Sequence, residues 1–168
     1  MVGWFRRGGD DHPEPSHDDP AAEPDDDSPA ALLTRQDALV RYINANAGKL
    51  PVEAVVVARS TTDSVRAVIA TADDRPLDIH AVVSVNGIIG DYLPTTLRAY
   101  LSLDPAVTGQ VGPSGRTPRA ALREQLDSLS AAADELLTAT RAHDVDALFS
   151  QGNFLRTKFS RSDLDLDL

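Results

Sequence analysis

The segment from Asp78 to Leu103 (DIHAVVSVNGIIGDYLPTTLRAYLSL) constrains the fold most, because it is the most apolar long stretch of the chain. At helical spacing, its large apolar side chains cover most of a helix circumference. These side chains are Ile79, Val82, Val83, Val85, Ile88, Ile89, Tyr92, Leu93, Leu97, Tyr100 and Leu101. A helix that is apolar on almost every side is typical of the centre of a bundle. The pattern therefore predicts a buried central helix.

An alternative interpretation of the same segment is a β-hairpin. Asn86 and Gly87 stand between β-branched runs, and Asn-Gly suits the type I′ turn that joins two strands. Residues 55–57, three consecutive valines, would then form a further strand. The helix is favoured, because the apolar spacing continues past Gly90 without turn residues and the neighbouring segments have helical periodicity.

Pro94 lies inside the predicted central helix, where a proline removes a hydrogen bond and clashes with the preceding turn. Two outcomes stay open. The helix is kinked at residues 91–94, or it ends near Gly90 and a second helix begins with Asp91 as its cap and Pro94 in its first turn. Gly87 and Gly90 indicate a close approach of another backbone, or a looser helix beside the kink.

Two helices are predicted before the central one. The first begins at Ser28 or Pro29 and is closed by Gly48, a residue suited to the left-handed conformation that ends many helices. The second covers residues 52–72, and its apolar side chains recur at helical spacing. Asp78 then has the position of an N-cap for the central helix.

Two more helices are predicted after the central one. Thr117 and Pro118 begin a helix that continues to about Ala142 with leucines at near-heptad spacing. Asp144 caps a last helix with one apolar side, formed by Val145, Leu148, Phe149, Gly152, Leu155 and Phe159. The sequence therefore predicts an all-α fold, a bundle of four to five helices over residues 30–160.

Both ends of the chain differ in composition from the predicted bundle. Residues 1–29 carry nine of the 26 acidic side chains and few apolar ones, which predicts a disordered acidic tail. Residues 161–168 alternate aspartate and leucine, and we expect a short flexible tail there. Almost all of the net charge of −10 therefore belongs to the tails, because residues 30–160 hold 14 acidic and 13 basic side chains. This balance gives no basic patch that would indicate nucleic-acid binding.

The first seven residues are an exception within the acidic tail. They contain Trp4 and Phe5, followed directly by Arg6 and Arg7. One interpretation is a frayed terminus. The other is a short anchor, in which the two aromatic rings enter a membrane interface or a partner's groove and the two arginines face anionic groups.

Known catalytic and metal-binding motifs do not occur in the sequence. It has no glycine-rich phosphate loop, GxSxG, HExxH or CxxC motif, so we expect no catalytic, cofactor or metal site. The chain has no cysteine, which excludes disulfides and fits a reducing compartment. It also has no run near the roughly 18 apolar residues of a membrane span and no apolar signal-peptide core. A soluble cytoplasmic protein is therefore expected.

Residues 91–100 (DYLPTTLRAY) resemble the YLP-T-…-Y segment of the XpaC family, which is named for 5-bromo-4-chloroindolyl phosphate hydrolysis. In that family the motif lies in a helix, and a long helix with leucine spacing follows. Residues 118–142 match this order, and the closing segment 151–159 is similar to the end of related chains. The residues that carry the motif here are Asp91, Tyr92, Leu93, Pro94, Thr95 and Tyr100.

The resemblance implies a bacterial, cytoplasmic, helical accessory protein and assigns no catalytic residue. Members of the family often accompany TelA-type toxic-anion-resistance proteins, which are themselves helical. The implied setting is tellurite resistance or envelope stress, and the implied partner is a TelA-like helical protein or a second copy of this chain. Where some family members have a membrane-spanning segment, this chain has its acidic tail, so that membrane contact is expected only through the N-terminal residues.

Two hypotheses about function follow. The first is a non-enzymatic protein that acts through protein–protein interaction. The second is a phosphoester hydrolase, as the family name suggests. Its reactive groups would have to come from five residues that lack motif spacing: Asp73, Asp74, His80, Asp91 and His143.

Overall fold

The computed structural model describes residues 27–143 and 145–160, and the regular secondary structure of this part of the chain is entirely helical. The α-helices are α1 (Pro29–Asn46), α2 (Val52–Ala70), α3 (Ile79–Asn86), α4 (Leu93–Leu101), α5 (Pro118–Ala142) and α6 (Val145–Phe159). A π-helical segment, Gly87–Tyr92, joins α3 to α4 without a break. The described residues therefore form five helical units, and the predicted all-α bundle is confirmed. The hairpin alternative is wrong, because residues 55–57 and 79–92 are helical.

Some of the predicted features lie outside the described residues. They are the acidic tail before Asp27 with Trp4, Phe5, Arg6 and Arg7, the tail from residue 161, and the capping residue Asp144.

Three helices begin where local sequence predicts. The hydroxyl oxygens of Ser28 and Thr117 each accept a hydrogen bond from the backbone N–H three residues later, at 3.2 and 3.1 Å. The Asp78 carboxylate accepts one from the N–H of His80 at 2.8 Å. Each cap satisfies one of the backbone donors that a helix leaves unpaired in its first turn.

The left-handed end of α1 predicted at Gly48 does not form. Gly48 does not have a positive φ, and a single 3₁₀ turn (Ala47–Lys49) follows α1 instead. Such a turn can satisfy the last carbonyl groups without a left-handed residue. At the end of α5, His143 takes the left-handed conformation with φ 59°.

Helices α2 and α5 share the most extensive contact and form the centre of the bundle. Near the start of both helices, Arg119 Nε donates to the Glu53 carboxylate at 2.7 Å. Further along both, Ser64 Oγ donates to Asp134 at 2.6 Å. The two helices therefore run in the same direction. Their buried side chains are Ala54, Ala58, Thr61, Thr62, Val65, Val68 and Ile69 on α2, and Leu122, Leu126, Leu129, Ala132, Ala133, Leu136, Ala139 and Thr140 on α5.

Helix α1 packs against α2 in the opposite direction. Gln36 Nε2, which is fully buried, donates to the Thr62 carbonyl at 2.6 Å, and Arg59 donates to Asn44 at the other end of the contact. Helix α6 also runs opposite to its neighbour α5. Gln151 Nε2 near the middle of α6 donates to the Ala132 carbonyl of α5 at 3.4 Å. Lys158 Nζ at the end of α6 donates to Ser128, one turn earlier on α5, at 2.8 Å.

The expectation that residues 78–103 form a buried central helix is wrong in part. Most of the segment is buried, including Leu93 and Leu97 with no exposed surface. Ile79 and Val83, however, are 63% and 58% exposed. The reason is that α3 lies at the side of the α2–α5 pair, where its neighbours cover only part of its circumference.

The helix neither breaks nor restarts at Pro94. The N–H of Leu93 donates to the carbonyl of Ile88, five residues back, which is the hydrogen bond of a π turn. A proline within a helix lacks an N–H and presses on the carbonyl four residues before it. The wider π turn just before Pro94 relieves this conflict, and α4 continues directly from α3. Asp91 lies inside the π segment, and is not the N-cap of a new helix.

The glycines of this segment have different surroundings. A Cβ atom at Gly87 would come within 2.8 Å of the Tyr92 ring, whereas one at Gly90 would meet nothing within 4 Å. Gly87 therefore makes room for an aromatic side chain of its own segment. Of the two interpretations of these glycines, the close approach of another backbone does not hold at Gly87, and both glycines lie in the wider π segment. Gly152 of α6 does lie at a close helix contact, because a Cβ there would be 3.4 Å from Ser84 Oγ of α3.

The substitutions Gly87→Ala and Gly90→Ala should have opposite effects on stability. In a helix, alanine is favoured over glycine by up to about 1 kcal/mol, and Gly90→Ala should show this gain. At Gly87 the added methyl group must displace the Tyr92 ring, and overpacking of this kind costs about 1–3 kcal/mol. We expect the free energy of unfolding in urea to be lower for Gly87→Ala than for Gly90→Ala. An equal gain in both variants would contradict the close packing at Gly87.

Candidate interaction surface

Helices α3 and α6 lie side by side and run in the same direction. At their N-terminal ends, the rings of His80 and Phe149 meet edge to face, with centroids 5.1 Å apart. Further along, Tyr92 at the end of the π segment stacks on Phe159 at 5.2 Å. Because the contacts follow the same order along both elements, side chains in the first turns of α3 and α6 are brought to one end of the bundle.

Four large apolar side chains are exposed at this end. Ile79 and Val83 are one turn apart on α3, and Val145 and Phe149 are one turn apart on α6. Their exposed fractions are 63%, 58%, 53% and 54%. The His80 ring, next to Ile79 on α3, packs against Phe149 of α6. We name Ile79, Val83, Val145 and Phe149 the α3/α6 apolar patch. Single exposed apolar residues are ordinary on protein surfaces, but a cluster of them marks an interaction site.

Sequence periodicity assigned Val145 and Phe149 to the buried side of α6, and the structure corrects this assignment. The buried residues of α6 are Leu148, Gln151, Leu155 and Phe159. The centre of the buried side therefore faces between α3 and α5. Val145 and Phe149 lie at the edge of this buried side that faces α3. Helix α3 begins beside them and does not cover them. The sequence feature that could have indicated this exposed surface is that α3 and α6 both carry more apolar side chains than one buried face of a helix can hold.

Other exposed apolar side chains lie elsewhere. Val52 and Val56 form a pair on the first turns of α2, with exposed fractions of 77% and 61%. Phe154 of α6 lies on the α5 side, where the ammonium group of Lys158 is 5.3 Å from its ring centroid. The α2 pair is on average at least as exposed as the patch and lies on a different helix, so it provides a matched control for experiments on the α3/α6 apolar patch.

A cavity of about 610 Å³ adjoins the patch and shares Val145 with it. The α2–α3 loop and the turn between α5 and α6 form its walls. Its charged and titratable lining comprises Asp74, Arg75, Asp78, Arg141 and His143. Arg75 donates a hydrogen bond to Nδ1 of His143 across the cavity. We name this feature the end cavity; it places two guanidinium groups and an imidazole beside the apolar patch.

The five residues considered for phosphoester chemistry are only partly brought together. Asp74 and His143 line the end cavity, and Asp73 lies in the exposed 3₁₀ turn before it. His80 packs against Phe149 instead. Asp91 lies about three turns further along the helix from His80. Within residues 27–143 and 145–160, no three His, Cys, Asp or Glu side chains are grouped so that they could hold a metal ion.

The residues of the DYLPTTLRAY motif hold the π segment and α4 on the bundle. Leu93 is fully buried, and Tyr92 and Tyr100 are half-buried against the core. Thr95 Oγ1 donates to the exposed Asp91 carboxylate at 3.4 Å, one turn earlier. The motif therefore has a packing role at the place where the helix changes its hydrogen-bond pattern.

Tyr92 also has a perturbed ionisation equilibrium. Burial raises the pKa of its phenol above the ordinary value, and the neighbouring Asp91 carboxylate raises it further, while Arg156 acts in the opposite sense. The neutral phenol is thus favoured in the folded protein, where the ring stacks on Phe159.

The chain has no significant match among protein-family models, curated proteins or solved structures. The resemblance of residues 91–100 to the XpaC family therefore stays a prediction. In the described part of the chain, none of the helices has the length and apolar composition needed to cross a bilayer.

The folded state should lose stability at high pH through Tyr92. Its pKa is higher in the folded protein than in the unfolded chain, so its contribution is complete below about pH 10 and is lost as the pH rises through the folded pKa. Above pH 10, we expect the free energy of unfolding to fall more steeply with pH in the unsubstituted protein than in the Tyr92→Phe variant. Tyr42→Phe controls for the loss of a hydroxyl group. Identical curves for the parent and Tyr92→Phe would contradict this assignment.

Proposed function

We propose that this protein is a non-enzymatic helical accessory protein that binds an amphipathic helix of a partner protein. The observation that carries the proposal is the α3/α6 apolar patch, with four large apolar side chains more than half exposed at one end of the bundle. Two adjacent helices with side chains at i and i+4 spacing form a surface on which the apolar face of a third helix can lie.

The patch by itself supports only modest affinity. Complete burial of one such side chain contributes about 1.5–3 kcal/mol. These four are already nearly half buried, so covering them adds roughly 3–6 kcal/mol. Association costs an estimated 4–15 kcal/mol or more in lost freedom of motion. The partner must therefore contact more than the patch. Arg75 and Arg141 of the adjacent end cavity are suited to acidic side chains on the same partner helix.

The cellular setting of the proposal comes from the resemblance to the XpaC family. The resemblance favours a bacterial cytoplasmic protein that acts in toxic-anion resistance, with tellurite as the anion, or in the response to envelope stress. A TelA-type protein is the partner that this setting favours, because such proteins are helical. The absence of cysteine fits a reducing compartment.

Site-specific photocrosslinking in cells tests the proposal directly. A photoreactive phenylalanine analogue replaces Phe149 in the full chain, and the same analogue replaces Val56 in the control. We expect the Phe149 position to give one discrete adduct that the Val56 position does not give. Mass spectrometry then identifies the crosslinked protein, and Val83→Asp should abolish the adduct because it places a charge in the patch.

The absence of any adduct from Phe149 would contradict the proposal, and so would three other results. The first is the same set of adducts from Phe149 and Val56, and the second is an adduct that Val83→Asp leaves unchanged. The third is an adduct with twice the mass of this chain, since it would identify a second copy as the occupant.

The end cavity is the observation that favours phosphoester hydrolysis as a second candidate function. It brings Asp74 and His143 together with Arg75 and Arg141, and guanidinium groups bind phosphate oxygens well. The His143 Nδ1 atom accepts from Arg75, so a neutral ring has its proton on Nε2.

Hydrolysis of a chromogenic phosphate ester by the purified chain, with Mg²⁺, Mn²⁺ or Zn²⁺ added, tests this candidate. Turnover that is lost in His143→Asn or Asp74→Asn, and retained in the control Asp91→Asn, would establish it and overturn the non-enzymatic proposal. Turnover that survives all three substitutions would indicate a contaminating enzyme. We expect no turnover above that of buffer with the same metal ion.

A further inference from the structure

The described chain begins beside α3. Asp27, its first residue, accepts a hydrogen bond from Asn86 Nδ2 at 2.6 Å. The Oδ1 atom of the same Asn86 accepts from Arg35 of α1. These contacts fix the point at which residues 1–26 join the bundle, and they place it on the last turn of α3.

The same point is one end of the exposed apolar stripe of α3. Ile79, Val83 and Asn86 have i, i+4 and i+7 spacing and therefore lie on one face of the helix. Along the helix axis, Val83 is about 4.5 Å and Ile79 about 10.5 Å from Asn86. A chain that leaves the bundle at Asp27 thus starts directly beside the α3/α6 apolar patch.

The segment before Asp27 is long enough for its first residues to return to the patch. Trp4 precedes Asp27 by 23 residues. A flexible chain of that length has an average end-to-end distance of about 25 Å and an extended limit of roughly 75 Å. The patch is well within this range, and a short flexible linker gives an effective concentration of the order of millimolar.

The chemistry of residues 1–26 matches the surface that they can reach. Trp4 and Phe5 are the Trp and Phe residues of this segment, and they suit a patch that contains Phe149, against which the neighbouring His80 ring packs. The residues between them and Asp27 are rich in aspartate and glutamate. The end cavity beside Val145 has two guanidinium groups, Arg75 and Arg141, and two carboxylates, Asp74 and Asp78, so these charges balance and the aromatic side chains carry the match.

We infer that the segment Met1–Arg7 docks on the α3/α6 apolar patch of its own chain, with Trp4 and Phe5 covering Val83 and Phe149. The acidic run between this segment and Asp27 acts as the tether. The segment occupies the surface that the proposed function assigns to a partner helix, so a partner must displace it. Only this competition rests on the proposed function, because the docking itself requires no partner.

Fluorescence of Trp4 in the full-length chain tests the inference, because Trp4 is the single tryptophan. We expect its emission to be blue-shifted, to be protected from acrylamide and to be independent of protein concentration. The double variant Val83→Ser/Phe149→Ser should lose both the blue shift and the protection. The control Val52→Ser/Val56→Ser, which changes the exposed pair on α2, should retain them. Circular dichroism confirms that both variants remain folded, and Val83→Ser alone provides a milder test.

Each of the other outcomes overturns the inference. Emission typical of exposed tryptophan shows that the segment does not dock. Emission that turns blue only with phosphatidylglycerol vesicles, and not with phosphatidylcholine vesicles, identifies a membrane anchor. A blue shift that grows with protein concentration identifies a second copy as the acceptor. A blue shift that the patch substitutions leave unchanged places Trp4 elsewhere on the bundle.

The test is independent of the proposed function. If crosslinking from Phe149 finds no partner while Trp4 is protected by the patch, the docking stands and the accessory role fails. If a partner is found while Trp4 is exposed, the accessory role stands and the docking fails.

Discussion

The α3/α6 apolar patch depends on how α6 packs against α3. Gly87 leaves space for the Tyr92 ring, and this ring stacks on Phe159 near the end of α6. Gly152 allows α6 to approach Ser84 near the middle of the contact. These contacts fix both the direction and the register of α6. As a consequence, its first turn, with Val145 and Phe149, lies beside the first turn of α3 and the two exposed apolar pairs become one surface.

Local sequence chemistry determines the features of the fold that could be predicted. Ser28, Asp78 and Thr117 act as N-caps in the structure because a capping side chain bonds to backbone donors only two or three residues away. The leucine stripe of α5 identified a helix over residues 118–142, and the structure gives the same bounds. The amphipathic pattern alone was sufficient for the all-α class.

Features that depend on neighbours could not be predicted from the sequence. Ile79 and Val83 are as apolar as the buried Val82 and Val85, and their exposure is decided by which helices pack beside α3. The π turn before Pro94 likewise depends on proline geometry and on the packing of Tyr92. The hydrophobic periodicity of the sequence gives no information about such a turn. The end cavity unites Asp74 and His143 across nearly half the chain, so it required the tertiary structure.

The α3/α6 apolar patch requires that α3 and α6 run side by side in the same direction, and a pair of distance measurements can check this. The chain has no cysteine, so nitroxide labels can be placed at single introduced cysteines without background. One doubly labelled variant carries Ile79→Cys and Val145→Cys, and the other carries Ile79→Cys and Ser160→Cys. We expect strong short-range coupling in the first variant and a label separation of about 20 Å or more in the second. The opposite order of distances would show that α6 runs against α3, and the α3/α6 apolar patch would not exist.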